Sequence, residues 1–337
     1  MSYIGVDLHT NSLTACYRTK QGKERIRTFA LRRLDEFIKT LRRQDKVAVE
    51  ATGNTSYFVE RIRSRVKKVV VVDPNQFEVI RKSVRKTDKH DARTLALYLS
   101  KDMLPEARMK TKKNAQLHSL ACTRDKLVKQ RTALINKIHN VLNSYGIKFK
   151  KESLGTEKGL QSALAFEWDT IVRVELDVLV AQIRSLNQSV KTLDDQMIDQ
   201  GKKLKGHKNL ASIKGIGDRS ATVLLSVIGE VKDFADEDKL AAYFGIVPRV
   251  SESNEKINHG RITKRGSKLA RTTLVQCTLV ATRYSPYLPK YYARIQKHRG
   301  SGKAIIATSR KMLGIIYHTL KNDWIFEDFT NFVVAES

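Results

Sequence analysis

Short, unbroken apolar runs in the first hundred residues constrain this chain most. Tyr3–Val6, Val47–Val49 and Val69–Val72 are too brief for helices and too continuously apolar for strands with one wet face. They read as buried strands. Each is followed at once by an acid: Asp7, Glu50 and Asp73. Pro74 closes the last run, since proline cannot continue a ladder. A carboxylate at the end of a buried strand is expensive to desolvate without a cation or a partner.

The rest of this region alternates strand-like and helix-like segments. Leu13–Tyr17 reads as a strand beside Tyr3–Val6, with the polar HTNS turn between them. Phe37–Leu41 reads as a short amphipathic helix, and further helices are expected over Phe77–Ser83 and Asp91–Leu99. Asp88 and Asp91 lie three apart at the helix start TDKHDARTLALYLS, which puts both on one helix face. Strands first, a carboxylate at a strand end and more on a following helix give the layout of a ribonuclease-H-like α/β fold.

Charge narrows the function. Lys and Arg number 63 against 35 Asp and Glu, a formal charge of +28. Such a chain expects a polyanionic partner, nucleic acid above all. A basic protein that still gathers Asp7, Glu50, Asp88 and Asp91 points to Mg²⁺ brought to a phosphodiester, because two divalent ions on shared carboxylates stabilise both the attacking and the leaving oxygen. The ordinary reading of a single Asp here is a turn or helix cap; four acids in this order weaken it. The three cysteines are scattered without a zinc spacing, which fits a reducing cytosol. Neither a signal-peptide core nor a membrane-length apolar run is present, so a soluble, cytoplasmic, nucleoid-associated bacterial protein is expected.

Residues 109–205 are helical in pattern. Val172, Leu176, Leu179, Ile183, Leu186, Val190, Leu193 and Met197 step alternately by four and three, a heptad seam. Leu117, Leu120, Leu127, Leu134, Ile138 and Val141 form an earlier stripe, interrupted by Arg124 and Arg131. Lys148–Gly159 reads as the loop between the two helices. The seam serves an intrachain hairpin, or a protruding pair that also joins subunits.

In residues 206–337, Leu210–Gly217 followed by the apolar Ala221–Ile228 resembles a helix-hairpin-helix. There Lys214, Gly215 and Gly217 would offer a phosphate exposed backbone N–H groups. From Lys256 to Asn322 there are fifteen Lys or Arg and no acid, a purity of sign that solubility explains poorly. Tyr284, Tyr287, Tyr291 and Tyr292 interleave with this charge, as core packing or as stacking surfaces.

The segment VDLHTNS after an apolar strand is also compatible with a first phosphate loop of sugar kinases and actin-like ATPases. No second glycine-rich loop or adenosine pocket accompanies it, and KHRGSGKA lacks the upstream glycine of a Walker loop.

Taken in order, GVDLHTNS, VAVEATG, VVVDPNQ and RKTDKHDA resemble the N-terminal half of the DEDD-type insertion-sequence transposases, the Piv invertase-like family that includes bridge-RNA-guided recombinases. SIKGIGDRSA, AAYFGIVPRVSESNEK and GRITKRGSKLAR resemble that family's C-terminal domain, so the likeness covers nearly the whole chain. It implies a RuvC-like domain over residues 1–108, a coiled-coil region over 109–205 and a C-terminal transposase domain over 206–337. It also implies Mg²⁺ on Asp7, Glu50, Asp88 and Asp91, and a nucleophilic serine five residues after the proline of AAYFGIVP. That position is Ser253, followed by Asn254 where the family has glycine; Ser251 is the second candidate. Arg261, Lys264, Arg265, Lys268 and Arg271 are expected to grip phosphates. The implied partners are double-stranded DNA, a non-coding bridge RNA and further copies of the chain, as a dimer or tetramer in which tetrad and serine meet between subunits. Two other classes stay open: a metal-dependent nuclease such as a junction resolvase, with water as nucleophile, and a non-catalytic nucleic-acid-binding protein.

Overall fold

The computed structural model describes residues 1–74, 76–77, 87–150, 152–253 and 256–327. The chain divides into two compact units, Met1–Met109 and Lys110–Ser337.

The first unit is built on one five-stranded sheet in the order β3-β2-β1-β4-β5. Its strands are β1 (Ser2–Leu8), β2 (Ser12–Thr19), β3 (Glu24–Ala30), β4 (Lys46–Glu50) and β5 (Lys68–Val72). The first three form an antiparallel meander, whereas β4 runs parallel to both β1 and β5. Parallel neighbours need a crossover, and helices α1 (Leu34–Ile38) and α2 (Thr55–Ile62) lie in these connections. They cover one sheet face, where Ile4, Val6, Val47 and Val49 pack with Phe37, Phe58 and Ile62.

The opposite face carries α3 (Asp88–Ser100), through Ala48, Val70 and Val72 against Leu95 and Leu99, and Cys16 against Ala92 and Ala96. Gly5 makes this packing close. A Cβ there would lie 2.1 Å from the Ala92 carbonyl oxygen and 2.4 Å from the Ala96 nitrogen, so only glycine lets the helix rest directly on β1. The helix expected over Phe77–Ser83 lies outside the described residues beyond Phe77. The helix expected at Phe37–Leu41 forms three residues earlier.

In the second unit, two 33-residue helices dominate the early part: α4 (Lys112–Ser144) and α6 (Thr170–Lys202), with α5 (Glu157–Leu164) between them. Arg124 forks onto Asp194 at 2.9 and 3.1 Å, Arg131 donates to the Asn187 side-chain amide oxygen Oδ1 at 2.9 Å, and Lys137 meets Glu175 at 2.8 Å. Partner numbers fall on α6 as they rise on α4, so the pair is an antiparallel hairpin. The two arginines that interrupt the α4 stripe are its polar cross-links. On α6, Leu176, Ile183, Val190 and Met197 are buried while Val172, Leu179, Leu186 and Leu193 are half-buried. The loop expected over Lys148–Gly159 is shorter than that. Thr156 caps α5 by accepting the Gly159 N–H, and a Cβ on Gly159 would meet the Ser153 carbonyl oxygen at 1.9 Å. Helix therefore starts at Glu157.

The remaining elements are α7 (His207–Ala211), α8 (Asp218–Ile228), α9 (Glu237–Phe244), the hairpin β6 (Pro248–Ser253) and β7 (Lys256–Ile262), α10 (Lys268–Ala281), α11 (Leu288–Arg299) and α12 (Ser301–Lys321). Leu224, Ile228, Phe244, Leu274, Leu313 and Ile316 form their common core. The buried Tyr317 hydroxyl donates to the Phe234 and Ala235 carbonyls. Among the described residues, no helix is long and apolar enough to cross a membrane.

Candidate metal centre

Strand pleating aims the first two carboxylates. Side chains alternate across a strand, so Asp7 shares the α3 face with Gly5, and Glu50 shares it with Ala48. Gly5 is paired with Ala48 and Val6 with Val49 in the parallel β1/β4 register, which brings Asp7 and Glu50 to neighbouring strand ends. The start of α3 delivers Asp88 and Asp91. Thr87 caps that helix by accepting the His90 N–H at 3.2 Å, and carboxylates in a first turn are favoured by the helix dipole.

All four acids line one cleft of about 280 Å³, together with His9, Thr52, Thr87 and the apolar Val72, Phe77 and Leu95. Asp91 is buried, Asp7 and Glu50 are half-buried, and Asp88 is exposed. The tightest donor group in this cleft is Asp7, His9 and Asp88, whose ligand atoms all lie within 4.8 Å of one another. His9 Nε2 stands 3.1 Å from Asp7 Oδ2 and 3.4 Å from Asp88 Oδ1. Glu50 and Asp91 line the cleft without joining that group.

The turn that carries His9 is fixed on two sides. Its N–H donates to the Ser12 carbonyl at 2.9 Å, and Asn54 donates to its carbonyl at 3.2 Å. Sequence reading missed His9, because a histidine in a polar turn carries no periodic signal. The one hint was its position two residues after Asp7.

Electrostatics in the cleft favour a bound cation. Burial pushes the Asp7 carboxyl above its ordinary value, and the charges of Asp88 and Asp91 add to this while His9 opposes it. Burial alone would lower His9, but the Asp7 and Asp88 carboxylates outweigh it and hold the imidazole above its ordinary value. The His9 ring stands between the Asp7 and Asp88 carboxylates, where positive charge is favoured. Carboxylate oxygens suit Mg²⁺, and an imidazole nitrogen additionally suits Mn²⁺. The donor set fits a divalent ion.

The second unit carries the other expected residues. Ser253 ends β6, paired with Lys256 on β7, and Ser251 is paired with Asn258; Asn254 lies outside the described residues. Lys214, Arg261, Lys264, Arg265 and Lys268 are exposed. Arg271 donates through Nη1 to the carbonyls of Phe244, Arg265 and Gly266, so it also holds the loop before α10 together. The two glycines of the α7–α8 turn differ. Gly215 adopts φ +105°, and a Cβ there would meet the Ala281 nitrogen and the Cys277 carbonyl oxygen at 2.8 Å, so it serves packing. Gly217 opens onto free space at the start of α8.

Residues 207–293 match the transposase IS116/IS110/IS902 family, and residues 4–147 match a DEDD transposase domain of the IS110 type. The chain carries transposase domains of the IS110/IS116 family. The DEDD match spans the sheet, α3 and every acid of the cleft, and the other match spans the β6–β7 hairpin and α10. Related to this transposase is the transposase for insertion sequence element IS1111A of Coxiella burnetii, 24% identical over 94% of this chain and 89% of that protein. The transposase for insertion sequence element IS1328 of Yersinia enterocolitica is 26% identical over 83% of this chain and 84% of its own length. The pilin gene-inverting protein of Moraxella lacunata is 28% identical over 97% of this chain and 98% of its own.

Proposed function

We propose that this transposase cuts and rejoins DNA through a covalent phosphoserine intermediate, with Mg²⁺ held by Asp7, Glu50, Asp88 and Asp91 and a bridge RNA selecting the sites. One observation carries the metal part: acids from three separate segments of chain converge on a single cleft. Family membership supports the DNA substrate and the guide. The sheet order, an antiparallel meander extended by two parallel strands, supports a ribonuclease-H/RuvC-like class for the first unit. Ile171, Val174 and Val178, exposed on α6, offer apolar surface for a helical contact between subunits of a dimer or tetramer.

The bound metal would supply positive charge at the reacting phosphoryl oxygens. The protein's own residues do the rest. Asp7, whose carboxyl is held above its ordinary value by burial and then by the neighbouring carboxylates, would be favoured in its charged form by a cation in the cleft. His9 sits within hydrogen-bonding reach of Asp7 and holds that carboxylate in place. The Ser253 oxygen bonds to a DNA phosphorus while the bond from phosphorus to a deoxyribose oxygen breaks. Serine gives up its proton and the departing sugar oxygen gains one. Attack by a second strand's hydroxyl reverses these changes, so the phosphodiester bond is rebuilt without an external energy source. Lys264, Arg265, Lys268 and Arg261 contribute backbone grip, as do Lys214 and the N–H groups beyond Gly217.

The test is a protein–DNA adduct trapped under denaturing conditions, with any co-purified RNA supplied as guide. Wild type should form the adduct, Asp88→Asn and Ser253→Ala should not, and Ser251→Ala should retain it. Continued strand cutting by Ser253→Ala without an adduct would replace this reading with a water-using nuclease.

A further inference from the structure

Within the second unit, a long groove of about 1560 Å³ runs between the β6–β7 hairpin, α11 and α12. That volume exceeds the roughly 300–1,000 Å³ of ordinary small-molecule sites. Its rim is strongly basic: Arg261 and Lys264 on the hairpin side, Arg299 and Lys303 where α11 meets α12, and Lys311 further along α12. None of these five forms a salt bridge with an acid among the described residues. The two acids in the groove are already occupied, Asp238 by Arg310 at 2.6 Å and Glu237 by His318 at 3.3 Å. The groove therefore presents net positive charge along its length.

Its floor is different. Ile262, Ile295 and Ile306 are half-buried there, beside the rings of Tyr287 and Tyr291. Burial pushes the Tyr287 phenol up to about 12, which keeps it neutral at working pH. Tyr291 has the Arg294 guanidinium 5.4 Å and the Lys311 ammonium 5.9 Å from its ring centre. At the bend between the helices, Gly300 and Gly302 face open space, so backbone there is accessible to a ligand.

A duplex keeps its base faces stacked inside and has none to lay on such a floor. An apolar, tyrosine-bearing floor under a basic rim suits a strand whose base faces are exposed. We infer that this groove binds single-stranded nucleic acid, with bases on the Tyr287–Tyr291 floor and phosphates on the Arg299–Lys303 rim. This adds a binding site to the proposed recombination reaction and does not depend on its metal centre or its serine.

The experiment is fluorescence anisotropy with the full chain in EDTA, using labelled dT8, rU8 and a duplex of arbitrary sequence. EDTA removes the metal centre from the readout, so failure here leaves the reading of the tetrad untouched. Arg299→Glu with Lys303→Glu should weaken binding of both single strands at least tenfold. Tyr291→Ala should weaken them about tenfold, in keeping with the loss of one stacking contact, and leave the duplex unchanged. All of these side chains are at least partly exposed, and circular dichroism checks that the variants stay folded. Tighter dT8 would identify a DNA strand as the occupant and tighter rU8 an RNA strand; either supports the site. Equal binding of duplex and single strands by wild type, with no change in Tyr291→Ala, would overturn it.

Discussion

Replacing Gly5 by alanine tests how the metal cleft is assembled. The added methyl would sit 2.1 Å from the Ala92 carbonyl oxygen, 2.4 Å from the Ala96 nitrogen and 2.8 Å from the Leu95 Cβ. Two of these are backbone atoms of α3, so no side-chain rotation relieves the clash. Ordinary contact requires about 3.4 Å, so the helix must retreat by more than about 1 Å. Overpacking of this kind costs roughly 1–3 kcal/mol, which for a unit of 109 residues lowers its melting temperature by roughly 5–15 °C. The same retreat draws Asp88 away from Asp7 and His9, whose donor atoms now fall within 4.8 Å. A misplacement of about 1 Å in a reacting constellation is enough for on the order of a hundredfold loss of rate. Differential scanning calorimetry and Mn²⁺ titration calorimetry read the two effects separately. An unchanged melting temperature together with unchanged Mn²⁺ affinity would refute the account of how α3 sets the site.

Two further outcomes follow from the same structure. In the metal-free protein both Asp7 and His9 hold their protons to higher pH than in the unfolded chain, above 3.8 and above 6.5 respectively. The native state thus binds more protons across both windows, so stability should fall as pH rises through each raised value. Thermal unfolding between about pH 5 and 9 should show that decline in EDTA and its removal by Mg²⁺, which replaces the proton; a flat EDTA profile would count against it. Gly215→Ala combines a disfavoured φ of +105° with contacts of 2.8 Å to α10 backbone. It should cost roughly 2–4 kcal/mol by chemical denaturation of the full chain, and a neutral result would show that the α7–α8 turn has another conformation.

Much of the first unit was legible because its strands are buried on both faces. Val47–Val49 and Val69–Val72 have no polar residue to confuse the period, and Glu50 at the end of the first marks the strand ends where the cleft opens. The third strand was not legible. Glu24–Ala30 is one of the sheet's two edge strands and, unlike the mostly buried β5, is largely exposed, and its two arginines read as loop until β2 supplies the pairing. His9 was invisible for a different reason: its contribution comes from Asp88, almost eighty residues away, and no local pattern encodes that meeting. In the second unit the heptad on α6 foretold its buried face, while Arg124 and Arg131 looked like flaws in the α4 stripe until their partners on α6 were in view.

Those two arginines have a larger consequence. An apolar seam that repeats every seven residues is degenerate: sliding one helix along the other by a heptad restores most of its contacts. Polar partners are not periodic in that way. A slip of seven residues toward the start of α6 would set Arg124 opposite Asn187 and Arg131 opposite Val180, a residue only 1% exposed. A guanidinium pressed against buried valine loses its water and finds no acceptor, a penalty of several kcal/mol. The hairpin thus carries its own ruler, and the length it presents at its tip is defined to within a single turn.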